Sequence, residues 1–112
     1  MFGRVQGQLI VSRAFGDIDY KDWVIAEPEG HTQQLTKEDD LLILASDGIY
    51  SIFKNDYIVQ RILKLREKGL QYGQIAETIV NEAKEMRCKD NVTLMIISLS
   101  HYLSEYQSFT QQ

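Results

Sequence analysis

Asp47 follows the apolar run of residues 41–45 and Ser46, and it precedes Gly48, so a carboxylate is delivered where a strand ends and the chain turns sharply. Asp90 stands just ahead of a second apolar run that begins at Val92. Carboxylates held on rigid strand ends are good oxygen donors for hard cations such as Mg²⁺ or Mn²⁺, which keep several of their waters. Both residues also have a plainer use, because Asp-Gly is a common turn and Asp90-Asn91 suits a loop cap. Residue type and position alone favour that plainer use. Asp17 presents the same choice, between forming a turn and reaching a looser cation site. Cys88 is the single cysteine, with no zinc spacing around it, which points to a reducing compartment and an inert thiol.

The elements that must hold these carboxylates can be read from periodicity. Residues 9–12 and 23–26 read as short strands, the second closed by Pro28, which cannot donate to a sheet ladder. Residues 32–35 are expected to pair with residues 41–45 as a hairpin across the polar turn at 37–40. Asn55 can cap a helix that carries Ile58, Ile62 and Leu65 on one face, with Lys64, Arg66 and Lys68 at its carbonyl end and Gly69 as a left-handed stop. A second helix is predicted over residues 72–86, with Ile75, Ile79, Ala83 and Met86 as its stripe.

The last strand alternates two apolar sets, Val92, Leu94 and Ile96 against Met95, Ile97 and Leu99. Neither face suits water, so the strand should lie between two layers, with helices outside and another sheet inside. The expected class is a layered α+β domain. Residues 100–112 turn polar and lose helical period, which reads as a frayed tail, although Tyr102, Tyr106 and Phe109 could dock it as a short helix.

Composition narrows the partners. The chain has 112 residues, 44% hydrophobic and 25% charged, with a net charge of −4, which suits one globular domain or part of one. Lys and Arg are scattered, so no nucleic-acid footprint is expected. The apolar runs fall far short of the roughly 20 residues that span a bilayer, and residues 1–10 lack a signal-peptide core. A cytoplasmic or nuclear location without membrane contact is the expectation.

Three segments occur in an order and spacing that carry a resemblance. They are residues 7–17 (G-Q-L-I-V-S-R-A-F-G-D), 41–50 (L-L-I-L-A-S-D-G-I-Y) and 89–93 (K-D-N-V-T), with residues 23–29 (W-V-I-A-E-P-E) between the first two. Together they resemble the carboxy-terminal part of the metal-dependent serine/threonine protein phosphatases of type 2C, the PPM family, over residues 1–99. The resemblance implies part of a layered antiparallel β-sandwich flanked by helices, with a two-metal Mg²⁺ or Mn²⁺ site at one end. It makes Asp47 and Asp90 metal ligands, leaves Asp17 a lesser candidate, and implies a metal-activated water that attacks phosphoserine or phosphothreonine in substrate proteins.

Departures qualify what the resemblance implies. Tyr50 and Ser51 stand where many members have tryptophan and aspartate, and Tyr50 reads as packing. The stretch from Asp17 to Trp23 is short where many members insert a flap. The family's D-G-H-G-type segment and its phosphate-binding arginine are absent, and neither Arg4 nor Arg13 matches that arginine. Arg13 reads as structural, His31 and His101 as surface residues. The isolated chain is therefore expected to be inactive, needing the amino-terminal half of the domain or else self-associating. The alternative is a phosphatase-like binding module that engages phosphoproteins without turnover. A small unrelated Mg²⁺- or Ca²⁺-binding domain would leave the ordered motifs as accident and has no EF-hand loop to support it.

Overall fold

The computed structural model describes residue 4, residues 11–86 and residues 90–110, the side chains of 106–110 excepted. The chain divides into two compact units, Met1–Gln34 and Leu35–Gln112. Cys88 and the 9–10 portion of the first expected strand lie outside the described residues.

Among the described residues of the first unit, the two expected strands show one parallel bridge, between Arg13 and Ile25. The Ala14 N–H donates to the Ile25 carbonyl at 2.9 Å, and the Ile25 N–H to the Ser12 carbonyl at 3.2 Å. Arg13 has the structural role its setting suggested. Its Nη1 donates to the Glu27 carbonyl at 2.9 Å and its Nη2 lies 3.6 Å from the Glu29 carboxylate.

The second unit is α+β. Its elements are β1 (Leu41–Ala45), α1 (Asp47–Tyr50), α2 (Asn55–Glu67), α3 (Tyr72–Glu85), β2 (Leu94–Ser98) and α4 (Leu99–Thr110). The expected hairpin of 32–35 with β1 does not form, and β1 instead pairs antiparallel with β2, from Leu41 opposite Ser98 to Ala45 opposite Leu94. Cross-strand packing explains the choice. The apolar β1 gains aliphatic partners in Ile96, Ile97 and Leu94, whereas Thr32, Gln33 and Gln34 offer none. The polar turn itself is present, with the Thr36 N–H donating to the Asp39 carboxylate at 2.9 Å.

Both long helices form where periodicity placed them. Lys54 is the N-cap of α2, one residue ahead of the expected Asn55, and Ile58, Ile62 and Leu65 are its buried face. Gly69 follows at φ +86°, a conformation that costs a side chain but not a glycine. In α3, Ile75, Ile79 and Ala83 are fully buried, and the Gln71 N–H donates to the Gln74 side chain at 3.0 Å at its start. Met86 leaves the predicted stripe and is 62% exposed, because the helix ends at Glu85 and the chain turns away.

Arg61 of α2 holds α3 through Glu82, with Nε donating to both carboxylate oxygens at 2.9 and 3.2 Å. That hydrogen bond raises the Arg61 pKa against a smaller desolvation, so the guanidinium keeps its charge. Arg66 donates to Asp40 at 2.7 Å and lies over the Tyr72 ring, 5.4 Å from its centroid, fastening the end of α2 beside the start of β1.

The sheet has one covered face and one open face. Leu41, Ile43, Ala45, Leu94 and Ile96 pack onto the core of Ile49, Phe53, Ile58, Ile62, Leu65, Ile75, Ile79 and Ala83. On the other side Leu42, Leu44 and Met95 are 43%, 51% and 53% exposed. The expectation that both faces are dry therefore fails within this chain, because the helices supply one layer and no described element supplies the other. Residues 99–110 form a helix, α4, whose first residue is held where the Leu99 N–H donates to the Asp40 carbonyl at 2.8 Å, while Tyr102 is 55% exposed. No helix among the described residues is long and apolar enough to cross a membrane.

Candidate metal centre

Antiparallel register brings the end of β1 and the start of β2 to the same edge of the fold, since Ala45 is opposite Leu94. One more residue in each direction reaches Ser46 and Thr93, and here the ladder changes character. The Ser46 N–H still donates to the Thr93 carbonyl at 3.0 Å. The return bond goes elsewhere: the Thr93 N–H donates to Ser46 Oγ at 3.0 Å, and that hydroxyl donates on to the Asn91 carbonyl at 3.2 Å. The Ser46 carbonyl is thereby released to accept from the Ile49 N–H at 3.0 Å and start α1. A backbone carbonyl serving the helix is replaced in the ladder by a side-chain oxygen of similar reach.

Gly48 closes the same junction. It is buried, and a Cβ placed on it would lie 2.3 Å from the Asn91 carbonyl oxygen and 3.2 Å from Val92 Cγ2. The glycine is needed for close backbone approach, and it sits within the right-handed α1.

Asp47 and Asp90 thus flank a pair of segments in direct contact. The Asp47 side chain is exposed, and among the described residues no hydrogen bond or ion pair engages its carboxylate. Asp90 is also exposed, and its Oδ1 accepts the Asn91 N–H at 2.8 Å. As donors the two fit a hard divalent cation, being anionic oxygens on exposed residues beside this junction. They do not complete a site: no group of three or more His, Cys, Asp or Glu able to hold a metal exists among the described residues.

Asp17 takes up the turn role. It adopts the left-handed conformation at φ 51°, ψ 50° and precedes a 3-10 helix at Ile18–Tyr20, whose Tyr20 N–H donates to the Asp17 carbonyl at 2.9 Å. Aspartate tolerates this region better than most residues. Tyr50 packs only in part and is 44% exposed. His31 and His101 are on the surface, His101 beside Glu105 at 3.2 Å. Periodicity pointed to neither Ser46 nor Gly48 as part of the site. The readable signal was a hydroxyl and a glycine flanking a carboxylate at the end of a strand apolar on both faces.

Comparison with known proteins bears on the same segments. The family model for protein phosphatase 2C matches residues 1–92. The chain is 42% identical over 97 residues to an Arabidopsis thaliana protein named probable protein phosphatase 2C 8, covering 85% of this chain and 28% of that protein. Against human protein phosphatase 1F it is 34% identical over 100 residues, covering 86% and 21%. Against protein spalten of Dictyostelium discoideum it is 31% identical over 104 residues, covering 89% and 11%. The chain therefore spans little more than a quarter, at most, of each of these relatives.

Proposed function

Because the chain belongs to the protein phosphatase 2C family, we propose that it is the carboxy-terminal part of a metal-dependent protein serine/threonine phosphatase, in which Asp47 and Asp90 are carboxylate ligands of a Mg²⁺ or Mn²⁺ site. The family is one of Mg²⁺- or Mn²⁺-dependent hydrolases acting on phosphoproteins. The observation that carries the reading is the junction of Ser46 and Gly48 with Asn91 and Thr93, which sets both aspartates at one edge of a single folded unit. Bound divalent ions would supply Lewis acidity and an acidified water for in-line attack on phosphorus. The chain's own part is to present two anionic oxygens beside the junction of β1, α1 and the segment ahead of β2, on residues that are exposed.

The open face of Leu42, Leu44 and Met95 supports the finer fold reading, a sandwich whose second sheet comes from the amino-terminal half of the domain. That half also brings the remaining ligands and a phosphate-binding arginine. Alone, the chain is expected to turn over no phosphopeptide with Mn²⁺ and to self-associate through that face, whereas a longer chain carrying the upstream half does turn it over as a monomer. Phosphate release alongside sedimentation of both chains tests this. Metal-dependent turnover by the 112-residue chain would contradict the proposed division of the site. No turnover by the longer chain, with phosphoprotein binding retained, would favour the non-catalytic binding module.

A further inference from the structure

We propose that Ser46 is a positioning residue for the divalent-metal site, its hydroxyl setting the separation of Asp47 and Asp90; the inference rests on the metal reading above. The chain meets a conflict at Ser46, because β1 must pair with β2 up to this residue and α1 must begin from it. One backbone carbonyl cannot serve both the ladder and the helix along the same direction. The Ser46 carbonyl goes to the helix, accepting from Ile49 at 3.0 Å and Tyr50 at 3.4 Å. The hydroxyl takes the place in the ladder, accepting from the Thr93 N–H at 3.0 Å and donating to the Asn91 carbonyl at 3.2 Å.

Two consequences follow for the aspartates. Asp47 becomes the first residue of α1, its direction fixed by a helix whose start is tied to β2. Asn91 is drawn against Gly48, where the space admits no side chain, and Asp90 is the next residue back along the chain. Without the hydroxyl, the Thr93 N–H and the Asn91 carbonyl lose the group that joins them. Most of the core on the covered face, Ile58, Ile62, Leu65, Ile75, Ile79 and Ala83, comes from α2 and α3, which these bonds do not touch. Loss of the hydroxyl is therefore expected to loosen the spacing of the two carboxylates more than it loosens the fold.

The test uses Mn²⁺ alone, titrated into the isotopically labelled longer chain that carries the upstream half, and follows paramagnetic broadening of the Asp47, Gly48 and Asn91 amides. In the wild type these amides broaden together with one apparent affinity. Ser46→Ala is expected to weaken that affinity by about tenfold or more, within the range that outer contacts to metal ligands command, and to separate the response of Asn91 from that of Gly48. Ser46→Thr, which keeps the hydroxyl, should stay within about twofold of wild type on the same principle. Ile79→Val, a core truncation remote from the clasp, serves as the destabilised control and should bind Mn²⁺ like the wild type. Joint broadening in Ser46→Ala at the wild-type affinity overturns the inference, as does an equal weakening in Ile79→Val. Wild-type amides that do not broaden at either aspartate overturn the metal reading itself.

Discussion

In a chain that includes the upstream half of the domain, Asp47→Asn and Asp90→Asn are each expected to lower phosphatase turnover at least about a hundredfold, near 2.7 kcal/mol in the barrier. Asparagine keeps the size of the side chain and one oxygen, so the loss reports the missing charge. A hard cation held by few protein oxygens depends strongly on each anionic one, and its bound water is acidified less when that ligand is weakened. Asp39→Asn is the control. Asp39 accepts from the Thr36 N–H in the turn before β1, and an amide oxygen can still accept there. Initial rates at limiting Mn²⁺ check the three variants together. Excess Mn²⁺ should partly restore a variant that has lost only affinity, and Asp47→Asn should be the harder to restore if that carboxylate touches both ions. Near-normal rates for either ligand variant would remove that residue from the site.

Gly48→Ala is expected to cost about 3 kcal/mol of stability, at the upper end of what overpacking in a tight contact usually imposes. The reason is geometric. The new Cβ would meet the Asn91 carbonyl oxygen at 2.3 Å and its carbon at 3.1 Å, and backbone cannot step aside as the end of a flexible side chain can. Relief requires α1 and the Asn91 segment to part, which also breaks the Ser46 contacts with Asn91 and Thr93. Urea unfolding should show the lost stability, and Mn²⁺-dependent turnover in the longer chain should fall along with it. Gly73→Ala is the comparison, since nothing lies within 4 Å of a Cβ there. A Gly48→Ala protein as stable and active as the wild type would mean that the two segments are not held in contact.

Much of the covered layer was legible in the sequence, because its signals are local. The spacing of Ile58, Ile62 and Leu65, and of Ile75, Ile79 and Ala83, fixes which helix faces are buried, and the structure buries them. Met86 escaped because periodicity carries no information on where a helix frays into a turn. The partner of β1 was misassigned for the opposite reason: a polar turn is visible locally, whereas the pairing with β2 is decided by apolar contacts about fifty residues away in the chain. The two-faced apolar pattern of both strands was read as a need for two layers. Within this chain that need is half met, which is why Leu44 and Met95, paired across the sheet, remain exposed.

At the candidate site, sequence marked the carboxylates but not what brings them together. Asp47 and Asp90 are recognisable as acids beside strand ends, and register then places those ends side by side. The means is a serine hydroxyl standing in for a ladder carbonyl and a glycine admitting another backbone. Neither leaves a periodic trace. Asp-Gly suggested only a turn, because the close approach of Asn91 is a tertiary fact.

Crystals of the longer chain grown with Mn²⁺, with anomalous scattering recorded at the manganese edge, test most directly whether Asp47 and Asp90 serve one metal centre. The account predicts anomalous peaks at the junction of β1, α1 and β2, with a carboxylate oxygen from each aspartate at about 2.0–2.3 Å from manganese, the range for a small hard cation bound by oxygen. Manganese bound elsewhere, with the two carboxylates facing solvent and no peak between them, would contradict it.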